Sequence, residues 1–162
     1  MWVGPPSTYV ESSSDSTQFY ASTLQCSAHF RDWSTIDLLH VTGSGIVPSS
    51  SYEVQFVAAN CNVNSSASYS PSLIIETARW GDVALPFAAP GVSGQPDFGD
   101  VSAMVNKFKS APGAPSKVHT KLSSGQPTGE LYLATDVSFE SISAAVDAFR
   151  GLAYPYTITS CP

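Results

Sequence analysis

The chain has 162 residues, of which 43% are hydrophobic and 12% charged, with a formal net charge of −6. Such a chain can bury a core, which excludes wholesale disorder. No apolar run approaches the roughly 20 residues that span a bilayer, and so few Lys and Arg do not build a nucleic-acid surface. Serine, at 27 residues, takes the place of charge.

Met1 is followed by Trp2-Val3-Gly4-Pro5-Pro6, which has neither the basic nor the apolar region of a signal peptide. Short stretches rich in β formers then recur. Gln18 to Leu24 and Ile36 to Val41 are separated by Ser/Gly loops. In Tyr52 to Ala58 the residues Tyr52, Val54, Phe56 and Ala58 alternate with Glu53, Gln55 and Val57, the period of a strand with one buried face. Leu73-Ile74-Ile75 reads as another strand. Several short strands with turns between them predict an antiparallel β-sandwich.

Composition shifts where Pro86, Pro90, Gly91, Gly94 and Pro96 cluster, and the acidic excess lies almost wholly in residues 1–100. Two modules are expected, 1–79 and 80–162. The second contains a repeat: Asp97 to Lys109 matches Ser138 to Arg150 at an offset of 41 residues. Val101, Met104, Val105 and Phe108 fall at i, i+3, i+4 and i+7, as do Ile142, Ala145, Val146 and Phe149. Each set predicts one amphipathic helix, and the two stripes should pack together. Between them, Lys117 to Leu122 and Glu130 to Val137 read as strands of a β-hairpin around a Ser123–Gly129 loop. The whole is mainly β with a small α part.

The stretch Ile46-Val47-Pro48 through Tyr52-Glu53-Val54-Gln55-Phe56-Val57-Ala58 resembles the E–F corner of a fibronectin type III domain. Ser70-Pro71-Ser72-Leu73-Ile74-Ile75 looks like its last strand, and Trp2 with Pro5-Pro6 like the end of its second. The resemblance covers residues 2–78 and implies that the Tyr52 hydroxyl bonds back to the turn. The first strand and most of the second have no counterpart. This implies a strand supplied upstream in a longer secreted protein, or by a neighbouring copy; the alternative is a fold that manages without it. Cys26 and Cys61 follow strands that are neighbours in that family, so a Cys26–Cys61 bridge is expected, with Cys161 free or paired outside the chain. Three reduced thiols are the alternative.

The duplicated helix resembles the half-EF-hand repeat of type I dockerins. Gly94-Gln95-Pro96-Asp97-Phe98-Gly99-Asp100 fits the second half of that family's calcium loop, and Trp80-Gly81-Asp82-Val83 its opening. The resemblance implies calcium at Asp82, Asp97 and Asp100, in the first loop only. Eighteen residues separate Asp82 from Asp100, two ligand positions are empty, and Ser138 and Ser141 replace both aspartates in the second copy. The competing reading makes Asp97 and Asp100 helix caps. Dockerin-like recognition implies a protein partner at Ser102, Asn106 and Lys107, and at Ser143 and Asp147, with Ala148 beside them.

No catalytic signature accompanies these features. His29, Asp32 and His40 lack metal-ligand spacing, and no nucleophile elbow is present. The expected function is therefore non-catalytic: a secreted or cell-surface modular protein that docks or assembles through its helical tail. The rivals are a surface-fibre subunit that exchanges strands with copies of itself, and a carbohydrate-binding module in which Tyr9, Tyr20 and Trp33 stack on a glycan.

Overall fold

The computed structural model describes residues 1–12, 15–89, 92, 94, 96–122, 133–157 and 161. Along them run β1 (Trp2–Val3), β2 (Ser7–Ser12), β3 (Asp15–Gln25), β4 (Leu39–Thr42), β5 (Ser51–Val54) and β6 (Leu73–Glu76), then α1 (Phe98–Phe108), α2 (Lys117–Thr120) and α3 (Phe139–Phe149). The architecture is thus a small mixed fold of strands followed by helices. β3 is the hub of a four-stranded sheet. It pairs antiparallel with β2, Tyr9 opposite Phe19, and with β1, Trp2 opposite Gln25. β4 joins it in parallel, Ala21 opposite His40, which the connection over residues 26–38 allows. β5 and β6 form a separate antiparallel ribbon, Tyr52 opposite Ile75. The expected strand over Tyr52 to Ala58 stops at Val54, and Phe56 is 62% exposed where alternation placed it inside.

Two apolar cores form among the described residues. One joins Val83, Met104, Val137 and Ala145, with Ala103, Leu122 and Ile142 packed on it, and fills the space where α1 meets α3. The other joins Tyr9 and Ala21 of the sheet to Leu133, with Phe19 and Val118 alongside. Contacts therefore cross the boundary expected after residue 79. Glu11 of β2 reinforces them: its Oε2 accepts from Lys107 Nζ at 2.6 Å and from the Lys117 backbone N at 2.7 Å.

The repeat becomes two helices of 11 residues each. Their C-termini close identically. The N–H groups of Ser110 and Ala111 reach back to Lys107 O and Asn106 O, and those of Gly151 and Leu152 to Ala148 O and Asp147 O. This is the paired return of a Schellman motif, which places one residue in the left-handed region. Gly151 takes it at φ +79° and Ser110 at φ +53°. Phe108 and Phe149, expected on the packed stripes, stay about half exposed; Asp100 and Ser141 are buried instead.

Lys117 to Leu122 is not a strand. Lys117–Thr120 is a single helical turn, in which Thr120 Oγ1 donates to Ser116 O at 3.0 Å. The turn carries the fully buried Lys117 ammonium to Leu133 O and to the Asp136 carboxylate, at 3.3 and 3.0 Å. A buried charge needs such partners, and that requirement outweighs the local β propensity. Of the expected strand over 130–137, residues 133–137 are also not in a strand; its residues 130–132 and the Ser123–Gly129 loop lie outside the described residues.

Candidate docking face and aspartate turn

Asp97, Asp100 and Asp82 converge where the chain enters α1. Asp97 is the N-cap: its Oδ1 accepts from Gly99 N at 2.6 Å, while Asp100 Oδ2 accepts from Asp97 N at 2.9 Å, a reciprocal capping box. Asp100 also faces the other way. Its Oδ1 accepts from Val83 N and Ala84 N at 2.9 and 3.0 Å. One buried carboxylate thus ties the 82–84 turn to the first turn of α1. Asp82, 5% exposed, accepts from Ala88 N through Oδ2 at 2.8 Å, and its buried Oδ1 has no hydrogen-bond partner among the described residues. Burial, with the Asp100 and Asp97 charges adding to it, raises the Asp82 pKa. No group of three or more His, Cys, Asp or Glu side chains among the described residues is arranged to hold a metal.

Gly81 makes the sharp turn before Asp82 at φ +84°, and a Cβ there would lie 2.5 Å from the Ala148 Cβ. The turn therefore locks onto α3 as well as α1.

The residues expected to meet a partner divide between two environments. Lys107 is engaged by Glu11, and its repeat mate Ala148 is buried against Gly81. Neither is available to a partner, because this helical position faces inward in both copies. Asn106 is exposed and Ser102 half-buried. Ser143 and Asp147 border a shallow depression with Trp80, Glu140 and Tyr156. What the residue pattern left unnoticed is a set of matched aromatics. Phe98 and Phe139 open the two helices at 71% and 72% exposure, and Phe108 and Phe149 close them at 49% and 48%. The 41-residue offset relates each pair, so the repeat itself carried the signal.

The remaining candidates take structural positions. The Tyr9 hydroxyl meets His40 Nδ1 at 2.7 Å. Burial, with Glu11 adding, pushes the Tyr9 pKa up to about 12, and burial lowers that of His40 against the opposing pull of Glu11. Tyr9 is thus a core residue and no sugar platform. Asp32 caps the 3-10 turn over Trp33–Thr35, accepting from Ser34 N at 3.0 Å, and His29 lies edge-on to Trp33. Tyr20 is 38% exposed. Cys26 pairs with Cys161, Cα to Cα 5.4 Å, and Cys61 is free and exposed. The expected Cys26–Cys61 bridge does not form, because β3 and β5 belong to different sheets and Cys161 lies beside the end of β3.

Comparison with protein families, with curated proteins and with solved structures gives no match to this chain. No helix among the described residues is long and apolar enough to cross a membrane.

Proposed function

We propose that the protein is a non-catalytic, extracellular docking module, with a fibronectin-like β part that spaces and a dockerin-like helix pair that binds. The observation that carries this reading is the matched exposure of Phe98 with Phe139 and of Phe108 with Phe149. Four aromatic rings held open on two helices leave apolar surface that a partner protein would cover. The Cys26–Cys161 bridge favours an oxidising, extracellular setting. The β part has two sheets, and the Tyr52 hydroxyl accepts from Val47 N at 2.6 Å and donates to Gly45 O at 3.1 Å, the bond expected of a tyrosine corner.

The test is a photo-reactive phenylalanine analogue at 98, 139 and, as control, 30, with the protein in its native surroundings. Adducts at 98 and 139 to one and the same protein, absent at 30, support docking. Equal labelling at all three sites, or none, rejects it. Tyr52→Phe should cost about 1–3 kcal/mol in chemical denaturation, since Val47 N loses a partly buried acceptor; no change counts against the sandwich.

Calcium at the aspartate turn belongs to the same proposal, favoured by the orphan Asp82 Oδ1. Asp82 would be the residue that recruits the ion. A melting temperature that rises with calcium, falls with chelator and loses both responses in Asp82→Asn supports it. Identical melting curves would leave Asp97 and Asp100 as caps alone.

A further inference from the structure

The β5–β6 ribbon is unfinished. β6 has a strand on one side only among the described residues, and a two-stranded ribbon is marginal in water by itself. The register shows what the open side offers. Directly opposed residues of an antiparallel pair share a face. One face therefore carries Tyr52, Val54, Leu73 and Ile75, and the other Ser51, Glu53, Ile74 and Glu76. On the apolar face Leu73 is 58% and Ile75 45% exposed, and Ile74 on the other is 54% exposed. Thr77 N donates to Ser50 O across the ribbon at 2.9 Å. By strand alternation the N–H and C=O groups of Leu73 and Ile75 face β5, while those of Ile74 and Glu76 face outward.

We infer that β6 pairs antiparallel with β6 of a second copy about a two-fold axis through Ile74. The self-complementarity of the strand selects this occupant and this register. Centred on Ile74, the outward main-chain groups of Ile74 bond reciprocally to those of Ile74 in the second copy. Leu73 opposes Ile75 on the apolar face, which then runs unbroken across both copies. Ser72 opposes Glu76, so a hydroxyl meets each carboxylate and no two carboxylates meet. Centring on Glu76 would set like charges opposite each other, and centring on Ile75 would set Ile74 against Glu76. The pairing completes a four-stranded sheet, β5–β6 with its two-fold mate, and meets the three-strand requirement that the lone ribbon fails. A two-fold contact is closed, so it yields a dimer and no fibre. The apolar face offers only four side chains per copy, Tyr52, Val54, Leu73 and Ile75. That is below a standard interface, so the dimer should be weaker than about 1 μM.

Sedimentation of the full chain from about 1 μM to about 1 mM should show a reversible monomer–dimer equilibrium in this range. Ile74→Cys in a Cys61→Ser background should form an inter-copy disulfide under mild oxidation at least about tenfold faster than Glu53→Cys, since a hydrogen-bonded pair holds its Cα atoms about 5.5 Å apart. Ile74→Pro removes only an outward N–H, which an edge strand tolerates, and should weaken the dimer about tenfold or more. A chain that stays monomeric throughout, a dimer that survives Ile74→Pro unchanged, or cross-linking no faster at 74 than at 53 would overturn the inference. Should Ile74→Pro fail to fold, the cross-linking rates decide.

Discussion

Helices α1 and α3 are equal in length and end in the same backbone closure, yet they begin differently. α1 starts from Asp97 and Asp100, whose carboxylates take up four backbone N–H groups between them. α3 starts from Ser138, which makes no capping bond, and Ser141, whose buried hydroxyl has no partner among the described residues. The repeat thus preserves the parts of a helix that need only backbone and apolar volume. It has diverged where a side chain must reach a specific neighbour. The 82–84 turn supplies that neighbour to α1, and the Asp100 carboxylate reaches it.

The sharpest way to break this comparison is to truncate the equivalent residues. Asp100→Ala strips three backbone donors of a charged acceptor and should cost about 3 kcal/mol or more by chemical denaturation. Ser141→Ala removes an orphan hydroxyl and should cost nothing measurable. Equal effects would mean that the two starts are energetically alike.

The next largest effect tests whether the turn serves both helices. Gly81→Ala forces a Cβ into the left-handed region and onto Ala148, so it should destabilise by about 2 kcal/mol. In Gly81→Ala with Ala148→Gly the steric part should be recovered and the backbone part should remain. A double variant no better than the single would show that Ala148 is not the obstacle.

Charge in the turn is read by pH. The folded pKa of Asp82 is raised, chiefly by burial. The native state therefore holds that proton more tightly than the unfolded chain. The contribution of Asp82 is most favourable below the unfolded carboxylate pKa and is lost as pH rises through the folded value. Asp82→Asn, which carries no charge, should accordingly gain stability over the wild type at pH 7 and lose that advantage near pH 3.5. A pH-independent difference in denaturation free energy would remove the buried-charge account.

The smallest effect concerns the shared C-terminal closure. Ser110 holds a left-handed conformation where α3 uses Gly151. Ser110→Gly should stabilise by about 0.5–1 kcal/mol, measured as a rise in melting temperature. A fall would mean that the Ser110 side chain contributes something its repeat mate lacks.

Much was legible in the residues themselves. The 41-residue repeat located both helices, because an apolar period of 3.6 recurring at a fixed offset is a local signal. Alternation located β5 but carried it past Val54 to Ala58, and the resemblance at Pro48 and Tyr52 implied a hydroxyl that bonds back to the turn, as Tyr52 does. Asp97 and Asp100 were legible as caps, while the 82–84 turn that makes Asp100 a clamp was not. Nothing local tells Lys107 from Asn106, yet one is held by Glu11 of a distant strand and the other is exposed. The Lys117 turn read as a strand because its side chains favour one. Its ammonium needed Leu133 O and Asp136, and long-range pairing of a buried charge overrode propensity. Cysteine pairing went the same way. Sequence supplied three thiols, and only the placing of Cys161 beside the end of β3 chose it over Cys61. Local preference is written in each segment's own residues; which distant groups meet is not, because burial makes an unpaired charge or polar group costly and so makes the choice of partner a property of the whole fold.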